Sequence, residues 1–151
     1  MQQWNRTCAT GWVAHNSTCY QFNANLQLSW YDAATYCRSQ GAEMVTIQSK
    51  RTQNFIEDKV RDMGFQTEIW LGGSDIDLNP KELHWADGTK ITEAYSNWEP
   101  AQPKKSSKSL CVQMRADDRK WTTSEHCLHE QQFICQVSDD RVVFPPTVLP
   151  G

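Results

Sequence analysis

Six cysteines spread over 151 residues constrain this chain more than any other feature. They stand at Cys8, Cys19, Cys37, Cys111, Cys127 and Cys135. An even number points to disulfides and to an oxidising compartment. Close C-x-x-C spacing is absent, which argues against a zinc site. Six cysteines allow fifteen pairings, and the count alone selects none of them. Six reduced, buried thiols remain the alternative. Two sequons, Asn5-Arg6-Thr7 and Asn16-Ser17-Thr18, fit an extracellular chain carrying N-glycans at Asn5 and Asn16.

The length suits one domain with a real hydrophobic core. A net charge of -3 gives no basic face, so nucleic acid and anionic membranes are not the expected partners. No apolar run approaches the roughly 20 residues needed to cross a bilayer. The start Met1-Gln2-Gln3-Trp4 lacks the basic and apolar regions of a signal peptide. The expectation is a secreted protein or an excised ectodomain.

Residues 1–7 read as a tether, 8–137 as the domain and 138–151 as a tail, where Val142-Val143-Phe144 runs into Pro145-Pro146. Trp12 to Phe22 suits two short strands. Ser29 caps a helix that continues through Ala33, Ala34, Tyr36 and Cys37 to Gln40-Gly41, with Asp32 at the third position. A second helix starts at Ser49, places Phe55, Ile56, Val60 and Met63 at helical spacing, and stops at Gly64. Met44 to Ile47 reads as a short buried strand or an extended link. From Trp70 onward come short strands and long loops, with turn signals at Asn79-Pro80, Asp87-Gly88 and Glu99-Pro100. Cys111 to Met114, Lys120 to Thr122 and Gln132 to Val137 are the last strand candidates. Two helices followed by many short strands indicate an α+β domain.

Three segments, Trp70-Leu71-Gly72-Gly73, Trp98-Glu99-Pro100 and Phe133-Ile134-Cys135, set among these cysteines, make the chain resemble the C-type lectin-like domain in its long form. The resemblance runs from about Cys8 to Gln136. It implies two helices, short antiparallel sheets, a long loop region and three disulfides: Cys8–Cys19, Cys37–Cys135 and Cys111–Cys127. It also implies that Trp70, Leu71 and the following glycines are core, and that Trp85 and Trp98 are framework.

In sugar-binding members a Glu-Pro-Asn or Gln-Pro-Asp tripeptide with a cis proline aims side-chain oxygens at one calcium ion. Matched to Glu99-Pro100-Ala101, this chain keeps the Glu and the Pro but has no oxygen at Ala101. The family's Glu two residues before the cysteine matching Cys111 is Ser109 here. Its Asn-Asp pair after the tryptophan matching Trp121 is Thr122-Thr123. Calcium takes six to eight oxygens, several of them carboxylate. Auxiliary positions are equally depleted: Asp75 and Asn79 remain, while Gln102, Leu110 and Gln136 replace other ligands and Thr52 stands where a carboxylate is common. Asp75 and Asp77 then read as loop carboxylates. No resident cofactor and no metal site are expected; a weakly held calcium ion is the residual alternative.

The loop Gln102 to Ser109 is polar and cationic, and reads either as a solvated surface loop or as a binding surface. A rebuilt surface of Glu99, Gln102, Lys108, Thr122 and Thr123 beside Trp121 would hydrogen-bond glycans or glycoproteins directly, and its charge suits sulfated or sialylated ones. Such a site is weak, so a homodimer or denser array would supply avidity. Innate recognition of glycans is the role this implies. The alternative is a protein partner meeting Leu78, Leu83, Ile91 and Tyr95 on the long loop, although the same residues suit a self-packed loop. Ice or mineral binding is a third reading, for which Thr122 and Thr123 alone are too few. Nothing suggests an enzyme: His15, His84, His126 and His129 are scattered, and no phosphate loop, nucleophile elbow or metalloprotease helix occurs.

Overall fold

Both helices follow their local signals closely. In this computed structural model, which describes residues 8–76, 81–91 and 95–137, helix α1 spans Trp30–Ser39 and helix α2 spans Lys50–Asp62. Ser29 accepts from the Asp32 backbone N–H at 3.1 Å, and Ser49 does the same for Thr52 at 3.1 Å. Each cap satisfies a donor that the first turn would leave orphaned. Both helices end alike. Gly41 and Gly64 take φ values of 74° and 72°, which glycine enters without steric cost. Their N–H groups bond Arg38 and Arg61 carbonyls, while Ala42 and Phe65 bond back to Cys37 and Val60. These are Schellman closures.

The buried face of α2 is Gln53, Ile56 and Val60. Met63, predicted to share that face, sits at the C-cap and is 41% exposed. Gln53 takes inward space because its amide is fully used there, as described below.

Among the described residues eight strands form one sheet: β1 Val13–His15, β2 Thr18–Leu28, β3 Glu43–Met44, β4 Ile69–Ser74, β5 His84–Trp85, β6 Cys111–Met114, β7 Trp121–Ser124 and β8 Gln131–Val137. The order is β1-β2-β8-β4-β6-β7, with β3 on β8 and β5 on β4. The expected antiparallel sheets are joined into one mixed sheet, because β4 runs parallel to β8 through Ile69↔Gln132 and Trp70↔Phe133. The β1–β2 hairpin turns at Asn16 and Ser17, both with positive φ (52° and 66°), the two-residue turn whose twist matches the strands. Asn16 is therefore displayed at an exposed tip. Asn5, Asp77, Leu78, Asn79, Pro80 and the tail lie outside the described residues.

All three expected disulfides form. Cys8–Cys19 ties the leading segment to β2, Cys37–Cys135 joins α1 to β8, and Cys111–Cys127 links β6 to the segment before β8. The core lies on both sides of β4. Trp70 packs with Ala33, Cys37 and Phe133 on the α1 side, while Leu71 packs with Ile56, Val60 and Trp121 on the α2 side. The Trp70 indole N–H reaches the carbonyls of Leu28 (3.1 Å) and His129 (3.2 Å). Gly72 is required by close approach: a Cβ there would lie 2.7 Å from the Met44 carbonyl oxygen.

Candidate functional site

Trp121, the first residue of β7, organises the loop end of the sheet. Its ring is fully buried and meets Trp85, Tyr95 and Trp98 edge-on, with centroids 5.4, 5.8 and 5.7 Å away. Its indole N–H donates to Gln53 Oε1 at 3.0 Å. Edge-to-face geometry sets each positive ring edge against a negative face. Backbone bonds from Trp121 to Asn97 (2.8 Å) and from Glu99 to Trp121 (3.0 Å) clamp the entry of the loop to β7. Trp121 thus supports the site from beneath; its expected place among ligand contacts is corrected by its burial.

The loop then turns at Glu99 to Gln102, with Ala101 at φ 73° and the Gln102 N–H on the Glu99 carbonyl. Gln102 Oε1 accepts both the backbone N–H and the hydroxyl of Thr123, each at 3.0 Å. The Thr123 hydroxyl in turn accepts the Lys104 N–H at 3.3 Å. The cis peptide bond is Gln102–Pro103. Of the pair after Trp121, Thr123 meets Gln102, whereas Thr122 turns to Gln113. The tripeptide in the ligand position is Gln102-Pro103-Lys104, three residues beyond the Glu99-Pro100-Ala101 match made from sequence. Glu99 instead pairs with Arg115 Nη1 at 2.5 Å.

Arg115 also gathers Asp117 (3.0 Å) and Asp118 (3.2 Å). The hydrogen bond to Asp117 raises the Arg115 pKa above its ordinary value, and the same bond holds the Asp117 carboxyl below its own. Glu99 thus belongs to a charge cluster bracing the loop base.

The other expected residues separate. Thr122 is 8% exposed and its hydroxyl accepts from Gln113 Nε2 at 3.1 Å. Lys108 is exposed and lies 3.9 Å from Glu125, whose other oxygen takes the Ser106 hydroxyl. Gln102, Thr123 and Lys108 remain on the loop surface; Glu99, Trp121 and Thr122 brace it.

These residues do not fit a calcium ion. Gln102 Oε1 already receives two donors, Lys104 brings an ammonium to the position of a carboxylate, and Ser109, Thr122 and Thr123 offer only neutral hydroxyls, where calcium wants several carboxylate oxygens. The auxiliary position fits no better. Asp75 is 5% exposed; its Oδ1 takes the Leu110 N–H at 2.8 Å and its Oδ2 faces Lys81 Nζ at 3.6 Å. That ammonium also bonds the Ser106 (3.2 Å) and Lys108 carbonyls. A lysine therefore ties the loop 81–91 to the loop 102–110. Gln136 is likewise occupied, exchanging hydrogen bonds with Thr46 at 2.9 and 3.0 Å.

Of the residues offered for a protein partner, the described ones pack inward, as a self-packed loop requires. Ile91 is fully buried, and Leu83 and Tyr95 pack against the core. His126 and His129 stack on each other at 5.0 Å, while His15 stacks on Phe55 at 4.1 Å. Among the described residues no three His, Cys, Asp or Glu side chains converge as a metal set. Nor is any described helix long and apolar enough to cross a membrane. Sequence reasoning missed Lys104, Arg115, Lys81 and Gln53. For Lys104 the signal was present: Gln102-Pro103 is the other form of the tripeptide's opening pair.

A family model described as "Lectin C-type domain" matches residues 26–137. Mouse "CD209 antigen-like protein A" is 29% identical over 87% of the chain, which spans 52% of that protein and as little as 9% of a longer relative. Among solved structures, "SPL-1 - GlcNAc complex" has a TM-score of 0.75 at 27% identity, covering 86% of this chain and 94% of that one. A "calcium-independent type II antifreeze protein" has a TM-score of 0.73 at 28% identity, covering 87% and 95%.

Proposed function

Given that the chain belongs to the C-type lectin domain family, we propose that it binds glycans without calcium, through the loop Gln102 to Lys108 and the adjoining end of β7. The observation that carries this reading is the Gln102–Thr123 pair, in which protein donors do the loop-fixing that the family assigns to an ion. Gln102 keeps its amide N–H groups for a sugar hydroxyl. Thr123, Ser109 and the Lys104 and Lys108 ammoniums add donors or acceptors on the same surface.

A sugar-bound relative of the same fold and a calcium-independent one each lend support. A neutral hydrogen bond nets about 0.5–1.5 kcal/mol. A single site of this kind therefore binds in the millimolar to high micromolar range. Avidity comes from a homodimer or a clustered display. Secretion and a role in innate recognition belong to the same proposal.

A glycan array probed once with calcium and once with EDTA tests it. Equal binding in both conditions is the expected result, and Gln102→Ala reduces it. Binding that EDTA abolishes would overturn calcium independence. Silence in both conditions would pass the surface to a protein partner.

A further inference from the structure

We propose that the cleft between the loops 81–91 and 103–110 receives an acidic substituent, a sulfate or carboxylate carried on a glycan, which rests on the glycan-binding reading above. The cleft encloses about 480 Å³. Among the described residues four lysines and two carboxylates line it, so their balance of charge is positive.

The pairing within that set decides where the spare charge lies. Lys81 is held by buried Asp75 and by loop carbonyls. Lys90 pairs with Glu82 at 3.1 Å. Lys104 and Lys105 meet no carboxylate among the described residues, and both are exposed at the cleft's rim. Two ammoniums thus face a concavity whose own carboxylates are already spoken for.

The remaining wall is Leu83, Pro103 and Leu110, with Ser106, whose hydroxyl is turned to Glu125. Such a wall accepts the C–H face of a sugar ring while the ammoniums take its anionic group. Charge-assisted bonds are about twice as strong as neutral ones. Because Lys104 is also the third residue of the Gln102-Pro103-Lys104 tripeptide, a glycan on the Gln102–Thr123 surface reaches the cleft without a second attachment point.

The test is calorimetry with a sulfated chondroitin hexasaccharide, read beside neutral glycans on the array. Wild type binds the hexasaccharide, and the affinity falls steeply between about 0.05 and 0.5 M salt, as screening of exposed charge requires. Lys104→Ser with Lys105→Ser weakens that binding about tenfold or more, and Lys105→Ser alone weakens it while leaving neutral glycans within about twofold. Lys50→Ser, on the first turn of α2, changes neither. Hexasaccharide binding unaffected by the double change would overturn the cleft. Binding of neutral glycans alone would overturn the acidic class while the lectin reading stands; silence toward both would overturn the two together.

Discussion

Trp121→Ala should destabilise the domain by about 3–5 kcal/mol, the usual cost of emptying an aromatic site in a packed core. The ring is fully buried, touches three other aromatic rings edge-on and holds Gln53 through its indole N–H. Truncation therefore leaves a cavity, strips three ring pairs and strands a buried amide oxygen. Trp121→Phe separates these contributions. It keeps much of the apolar volume but abandons Gln53 Oε1, at a cost of about 1–3 kcal/mol for the unsatisfied group. Urea unfolding of both variants checks the order. A near-native midpoint for Trp121→Ala would mean that the ring is not core. The loop should suffer as well, because Asn97, Glu99 and Thr123 are all registered on the same strand end.

Replacing Cys37 and Cys135 together by alanine should cost about 2–5 kcal/mol. This bridge closes 98 residues of separation, against 16 for Cys111–Cys127 and 11 for Cys8–Cys19. In the chain-entropy account the unfolded ensemble gains most freedom when the longest loop opens. Both sulfurs are also in the core between α1 and β8, so packing is lost with the constraint. The three double variants should rank by loop length in denaturant midpoint. A smaller loss from Cys37/Cys135 than from Cys8/Cys19 would contradict the entropic ranking.

Local chemistry was the legible part of the fold. Ser29, Gly41, Ser49 and Gly64 mark helix ends by groups that act within a few residues, so their signals survive in the linear sequence. The disulfide pairing and the role of Trp70 to Gly73 came from family resemblance, since neither is encoded in spacing alone. The parallel contact of β4 with β8 was not readable, because Ile69 and Gln132 find each other across many intervening residues.

At the site, what failed to show in the sequence was which polar groups would be consumed internally. Glu99 reads as a ligand until Arg115 folds beside it. Gln53 carries no local sign of burial, and its bonds to Trp121 and Arg119 come from distant parts of the chain. Asp75 reads as a loop carboxylate, but it is buried beneath Lys81. Each depends on a partner far along the chain. The Gln102 register was different: two X-Pro steps stood three residues apart, and only the Thr123 contact decides between them.

That register is also where the account is most exposed. If Gln102-Pro103-Lys104 stands in the ligand position, the combined change Lys104→Asp, Ser109→Glu, Thr122→Asn and Thr123→Asp supplies the carboxylates that calcium requires. Isothermal titration of calcium into wild type and into this variant is the direct measurement. Wild type should give no saturable heat at millimolar calcium, and the variant a saturable isotherm. Calcium heat from wild type would contradict a metal-free site, and a silent variant would contradict the register on which it is built.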